Sequence, residues 1–70
     1  MELIHDFREG DRWAQVHENR DGEYIITCFI KQVFQGQKTI RNHSEQYAED
    51  AAENYVLGIW DFVDEQYRRI

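Results

Sequence analysis

The stretch from Ser44 to Arg69, SEQYAEDAAENYVLGIWDFVDEQYRR, most constrains what this chain can fold into. Ala48, Ala52, Tyr55, Val56, Ile59, Trp60, Phe62, Val63 and Tyr67 recur at steps of three and four, the period of a helix that buries one stripe. The spacing predicts an amphipathic helix over about 44–69. Asn42 or Ser44 can cap its first turn, and Glu45 follows Asn42 at a capping-box spacing. Carboxylates crowd the first half and Arg68 and Arg69 close the last turn, so side-chain charge opposes the macrodipole at both ends. Gly58 is the one interruption: it costs about 1 kcal/mol relative to alanine inside a helix and is a common residue just past a helix end. Because the apolar pattern keeps its phase across Gly58, a continuous or mildly bent helix is favoured over one broken there. Leu57, Ile59, Trp60, Phe62 and Val63 are apolar over a wider arc than one small sheet needs, and that surplus asks for a partner.

The residues before the helix read as strands. Leu3, His5 and Phe7 share one side of a segment over about 2–7, followed by the turn chemistry of Glu9-Gly10-Asp11. Residues 12–19 alternate, with Ala14 and Val16 against Trp13, Gln15 and His17, and end at Asn19-Arg20-Asp21-Gly22, a hairpin signal. Residues 24–34 are apolar on both parities, as a central strand would be, and Gln35-Gly36 then turns the chain into a last strand over 37–42. The expected fold is α+β: an antiparallel β-meander of three or four strands followed by one long C-terminal helix packed on one face. Val16, Ile26, Ile30, Ile40, Ala48, Ala52 and Tyr55 form the expected core, and Trp13, Ile25, Phe29 and Val33 line the opposite face.

Seventy residues make one domain, and a chain this short buries only about 60% of the surface its unfolded form exposes. The usual reinforcements are missing from the pattern: Cys28 is the single cysteine, and no Cys/His spacing suggests a zinc knot. Self-association is the remaining common remedy. The lone thiol fits a reducing compartment, the first residues lack the basic and apolar regions of a secretory signal, and no apolar run is long enough to span a bilayer, so a cytoplasmic location is expected.

Little in the chain suggests catalysis. His5, His17 and His43 stand in three different segments with no H-x-x-x-H or C-x-x-C spacing, the four glycines are isolated, and Ser44 is accounted for as a cap. No catalytic, metal or cofactor residues are assigned, and no cofactor is expected. Charge is unevenly spread: in a chain of net charge −6, residues 31–43 carry Lys31, Lys38 and Arg41 and no acid. This basic island could touch a few phosphates, but the surrounding negative field opposes nucleic acid. Glu45, Glu49 and Glu53, four apart, line one helix stripe that could dock a basic partner or imitate a phosphate rail.

Two resemblances rest on particular residues. A sheet followed by a helix opening Ser-x-x-x-Ala-x-x-Ala, here Ser44, Ala48 and Ala51, resembles the arm-site DNA-binding domain of tyrosine-type phage integrases over Trp13 to about Gly58. That resemblance implies the sheet-plus-helix fold and DNA contacts at Lys31, Lys38 and Arg41. The run from Tyr47 to Gly58 is similar to small uncharacterised accessory proteins of marine tailed phages, which implies a viral accessory role in the host cytoplasm and brings no site with it. The expected function is a small non-enzymatic interaction module. It would pair with itself, as a dimer, through Trp60, Phe62, Val63 and Tyr67 or through Trp13, Phe29 and Val33, with a host protein as a further partner.

Overall fold

The computed structural model describes residues 2–61. Four strands, β1 (Glu2–Glu9), β2 (Arg12–Glu18), β3 (Tyr24–Ile30) and β4 (Val33–Ile40), form one antiparallel sheet in the order β1-β2-β3-β4, and one helix, α1 (Glu45–Val56), covers a single face. The β2–β3 corner works as its residues dictate. Asn19 Oδ1 accepts from the backbone N–H groups of Asp21 and Glu23, at 3.0 and 2.9 Å, and Gly22 takes the positive φ of 77° that closes the turn.

The β3–β4 corner departs from the expectation of a strand running through Phe34 and a turn at Gln35-Gly36. The chain reverses at Lys31-Gln32, both with positive φ (52° and 69°), in the two-residue geometry whose twist suits a hairpin. Left-handed backbone costs a residue with a Cβ about 1–2 kcal/mol. The pairs on either side, Ile30 with Val33 and Phe29 with Phe34, and the Lys31 N–H to Asp11 carbonyl bond (2.8 Å) hold it. Gly36 instead lies inside β4 opposite Cys28, and the register slips between Phe34 and Gly36, leaving Gln35 as the extra residue of a bulge. The turn at Lys31-Gln32 decides which side chains share a face there: Phe34, not Val33, stands beside Phe29.

The helix also ends earlier than a continuous reading across Gly58 requires. Gly58 adopts φ 83°, its N–H donates to the Tyr55 carbonyl (3.0 Å), and the Ile59 N–H donates to the Asn54 carbonyl (2.9 Å). These are the paired bonds of a left-handed glycine stop, which satisfies carbonyls that a finishing helix would otherwise leave open. Helix is therefore described over 45–56 rather than 44–69, and residues 62–69 lie outside the described part. At the other end Ser44 is the cap, its Oγ accepting from the Tyr47 N–H at 3.2 Å.

Between the layers lie Ala14, Val16, Ile26, Cys28, Ile40, Ala48, Ala52, Tyr55 and Val56, all buried, with Ile30 half-buried at the margin. Small residues on the helix, Ala48 and Ala52, let its backbone approach the sheet, and Tyr55 is the largest fully buried side chain. Burial pushes the Tyr55 phenol and the Cys28 thiol up to about 12 each, so both are neutral core groups. Arg12 fastens the far end of the helix. Its guanidinium lies 4.9 Å from the Tyr55 ring centre and donates to the carbonyls of Tyr55 (3.1 Å) and Trp60 (3.3 Å) and to the Asp61 carboxylate (2.7 Å). No helix among the described residues is long and apolar enough to cross a membrane.

Candidate functional site

The face of the sheet turned away from α1 is covered by no described element, and its side chains are not randomly placed. The strand registers bring one residue from each strand into a row: Arg8 on β1, Trp13 on β2, Phe29 on β3 and Phe34 on β4. The Arg8 guanidinium sits 4.2 Å from the Trp13 ring centre, Trp13 stacks on Phe29 at 4.4 Å with 24° between planes, and Phe29 meets Phe34 edge-on at 6.1 Å and 71°. The Trp13 indole N–H donates to Asp6, whose carboxylate also lies 3.8 Å from Arg8. The result is a ridge across all four strands, three interlocked rings closed at the β1 end by a guanidinium, with Phe34 57% exposed at its open end.

Beside the ridge, Gln37 donates to the Thr27 hydroxyl (3.1 Å) and buries it, and His17 lies between Leu3 and Ile25 in register. The face is thus a fixed aromatic row in a mixed polar and apolar field. Asp6 and Arg8 are the charges associated with the row, and they lie next to each other. A chain of net charge −6 has therefore kept this surface near neutrality.

Trp13 and Phe29 lie where the alternation of β2 and β3 puts them, on the open face. Val33 does not: it pairs with Ile30 at the hairpin end and is 60% exposed there, because the turn at Lys31-Gln32 gives the place beside Phe29 to Phe34. Phe34 is the ridge residue that parity alone misses. Trp60 folds back on its own helix, its indole N–H donating to the Ala51 carbonyl (2.9 Å) and its ring 5.0 Å from Tyr55, so it closes the core rather than projecting outward. Phe62, Val63 and Tyr67 lie outside the described residues.

The basic island does not converge. Lys31 sits in the hairpin turn, Lys38 lies on the helix side with its Nζ 5.1 Å from the Trp60 ring centre, and Arg41 pairs with Glu23 beyond the other end of β4. Asn19 first and Arg41 second hold the Glu23 carboxyl below its ordinary range. The acidic stripe divides as well: Glu45 and Glu49 turn toward His5, whose Nε2 lies 2.7 and 3.4 Å from their oxygens, and Glu53 stays exposed. His5 faces the helix because β1 carries a bulge at Ile4, which separates its side from that of Leu3. That meeting, across forty positions of chain, leaves no trace in local spacing.

A cavity of about 360 Å³ lies between β4 and α1, lined by Lys38, Ile40, Tyr47, Ala51, Asn54 and Trp60 among others. Among the described residues no histidine hydrogen-bonds a serine, threonine or cysteine. In comparisons with known proteins, the chain matches no protein-family model, no curated protein and no solved structure.

Proposed function

We propose that this protein is a non-enzymatic interaction module that pairs with a second copy of itself, face to face, through the open side of its sheet. The ring row Arg8-Trp13-Phe29-Phe34 carries this reading, being pre-ordered and apolar on a surface that no described element covers. Charge favours a second copy as the occupant. The acids of α1 lie on the far side of the sheet, so two molecules of like net charge can meet at their neutral faces with their acidic helices turned apart.

Four strands of seven or eight residues give a face of about 19 by 23 Å, roughly 440 Å² in projection. A standard interface covers about 800 Å² per partner, so the pair should be weak, of micromolar order. A viral accessory role in a host cell, acting by binding rather than catalysis, is compatible with a module of this kind.

Single-stranded nucleic acid, the other common occupant of an aromatic sheet face, fits less well. A base stacks on a free ring face, but Trp13 has Arg8 on one side and Phe29 on the other, and the cations Lys31, Lys38 and Arg41 point three separate ways. Sedimentation of the full chain over a concentration series tests the proposal. Mass should rise toward twice that of the monomer by about 100 μM. Phe34→Ser, which alters an exposed side chain, should return it to the monomer with unchanged circular dichroism. A wild-type chain that stays monomeric throughout, or a Phe34→Ser chain that pairs as well, overturns the reading.

A further inference from the structure

Edge strand β1 and the first two turns of α1 meet at a cluster that joins an imidazole to carboxylates from a different element. His5 Nε2 lies 2.7 Å from Glu45 Oε2 and 3.4 Å from Glu49 Oε1, and the three ligand atoms all fall within 4.8 Å of one another. We propose that His5, Glu45 and Glu49 bind a zinc ion that staples β1 to α1.

Geometry supports it first. Zinc holds nitrogen and oxygen at about 2.0–2.1 Å, which places the corners of its tetrahedron about 3.3 Å apart. The His5–Glu49 separation is already there, the His5–Glu45 pair has about half an ångström to open, and the Glu45 and Glu49 oxygens, within 4.8 Å of each other, can close through the exposed and adjustable Glu45 side chain. Glu45 and Glu49 are one helical turn apart, so both reach the same point without distorting the helix. The His5 ring is braced on its own strand by Phe7, 6.0 Å away at 27°.

The charge around the cluster is a separate observation that also calls for a cation. Glu2 stands directly opposite Glu18 across β1 and β2, on the side of the sheet that α1 covers. Like charges in that relation are destabilising. Among the described residues no lysine or arginine pairs with Glu2, Glu18, Glu45 or Glu49. The field is felt by a neighbour, since burial and then the charges of Glu18 and Glu45 raise the Tyr24 phenol above its ordinary value.

One imidazole and two carboxylates select zinc over magnesium or calcium, which prefer oxygen alone. Water fills the fourth position, because Glu45 is half exposed. With one nitrogen donor and an open position, affinity should be of micromolar order rather than that of closed thiolate sites. A staple suits a chain that has no disulfide and a small core.

Calorimetric titration of the folded chain with zinc chloride tests this. One site per chain is expected in the wild type, weakened at least tenfold in His5→Ala and Glu49→Gln and unchanged in His43→Ala. Where a variant is too unstable to titrate, imidazole resonances of the wild type decide: zinc should shift those of His5 and spare those of His17 and His43. Absence of binding heat, equal affinity in His5→Ala, or shifts centred on another histidine would overturn the proposal.

Discussion

Arg12, the first residue of β2, and Asp61, beyond the end of α1, meet at 2.7 Å, with both side chains more than three-quarters buried. The same guanidinium donates to the Tyr55 and Trp60 carbonyls, so one side chain supplies the positive charge that the last turn of α1 lacks in its own sequence.

Removing that clasp takes one donor each from the Asp61 carboxylate and from the Tyr55 and Trp60 carbonyls, and takes away a buried ion pair. Arg12→Ala should therefore destabilise the fold by about 2–3 kcal/mol, and Arg12→Lys by less, because lysine keeps the charge but not the planar fork. Urea unfolding followed by tryptophan fluorescence measures both. Equal stability of Arg12→Ala and wild type would show that the clasp contributes nothing.

Gly58→Ala distinguishes a helix that stops from one that continues. In a continuous helix alanine would gain about 1 kcal/mol over glycine. At the observed φ of 83° it should instead lose about 1 kcal/mol or more, from the crowding of its Cβ against its own backbone and not from any neighbour, since a Cβ there meets nothing else within 4 Å. The sign of the change in melting temperature separates the two cases.

Replacing Lys31-Gln32 by Asn-Gly should stabilise the protein by about 1–2 kcal/mol, because both positions hold left-handed backbone that those residues adopt at little cost. The Lys31 N–H bond to Asp11 is a backbone bond and survives the exchange. Had the chain reversed at Gln35-Gly36, the same substitutions would place glycine in a strand and weaken it. Thermal unfolding of the double variant gives the sign.

Alkaline conditions should unfold the chain in a defined window. Cys28 and Tyr55 ionise at ordinary values of 9.0 and 10.0, but burial holds both at about 12 in the folded protein. The folded form binds these protons more tightly, so their contribution is complete below about pH 9 and is lost as pH rises toward 12. The urea midpoint should be level between about pH 7 and 8.5 and fall steadily above that. Cys28 should also resist a thiol reagent at about pH 8 until the chain is unfolded. A reactive native thiol would contradict the burial.

Much of the architecture was readable because its signals are local. The Asn19–Gly22 corner, the Ser44 cap and the three-and-four spacing of Ala48, Ala52, Tyr55 and Val56 each carry their cause within a few residues, and Val16, Ile26 and Ile40 follow from alternation. Where the reading went astray, the deciding force was distant. Lys31 and Gln32 carry no turn chemistry and reverse only because Ile30 and Phe29 find Val33 and Phe34, while Gly36, the residue that looks like a turn, is absorbed into a strand beside a bulge. Gly58 offered its stop signal openly, but Ile59 and Trp60 keep the helical phase beyond it, and only Trp60 reaching back to Ala51 explains an aromatic there without a further turn of helix. The open face was half visible for the same reason: Trp13 and Phe29 obey alternation, whereas the early reversal at Lys31-Gln32 puts Phe34 in the place expected of Val33. His5 was missed outright, since its partners arrive from the far end of the chain.

The order β1-β2-β3-β4, in which each strand lies beside the next, also governs how the chain gets home. Every pairing in the sheet closes a short loop, so hairpins can zip one after another without a costly search through the coil. Among the described elements the one distant closure is the landing of α1 on β1, β2 and β3, where His5 and Arg12 wait at opposite ends of the helix. Assembly should thus be rapid for the ribbon and rate-limited by that docking, which makes the His5 and Arg12 contacts late, and their loss a matter of faster unfolding rather than slower folding.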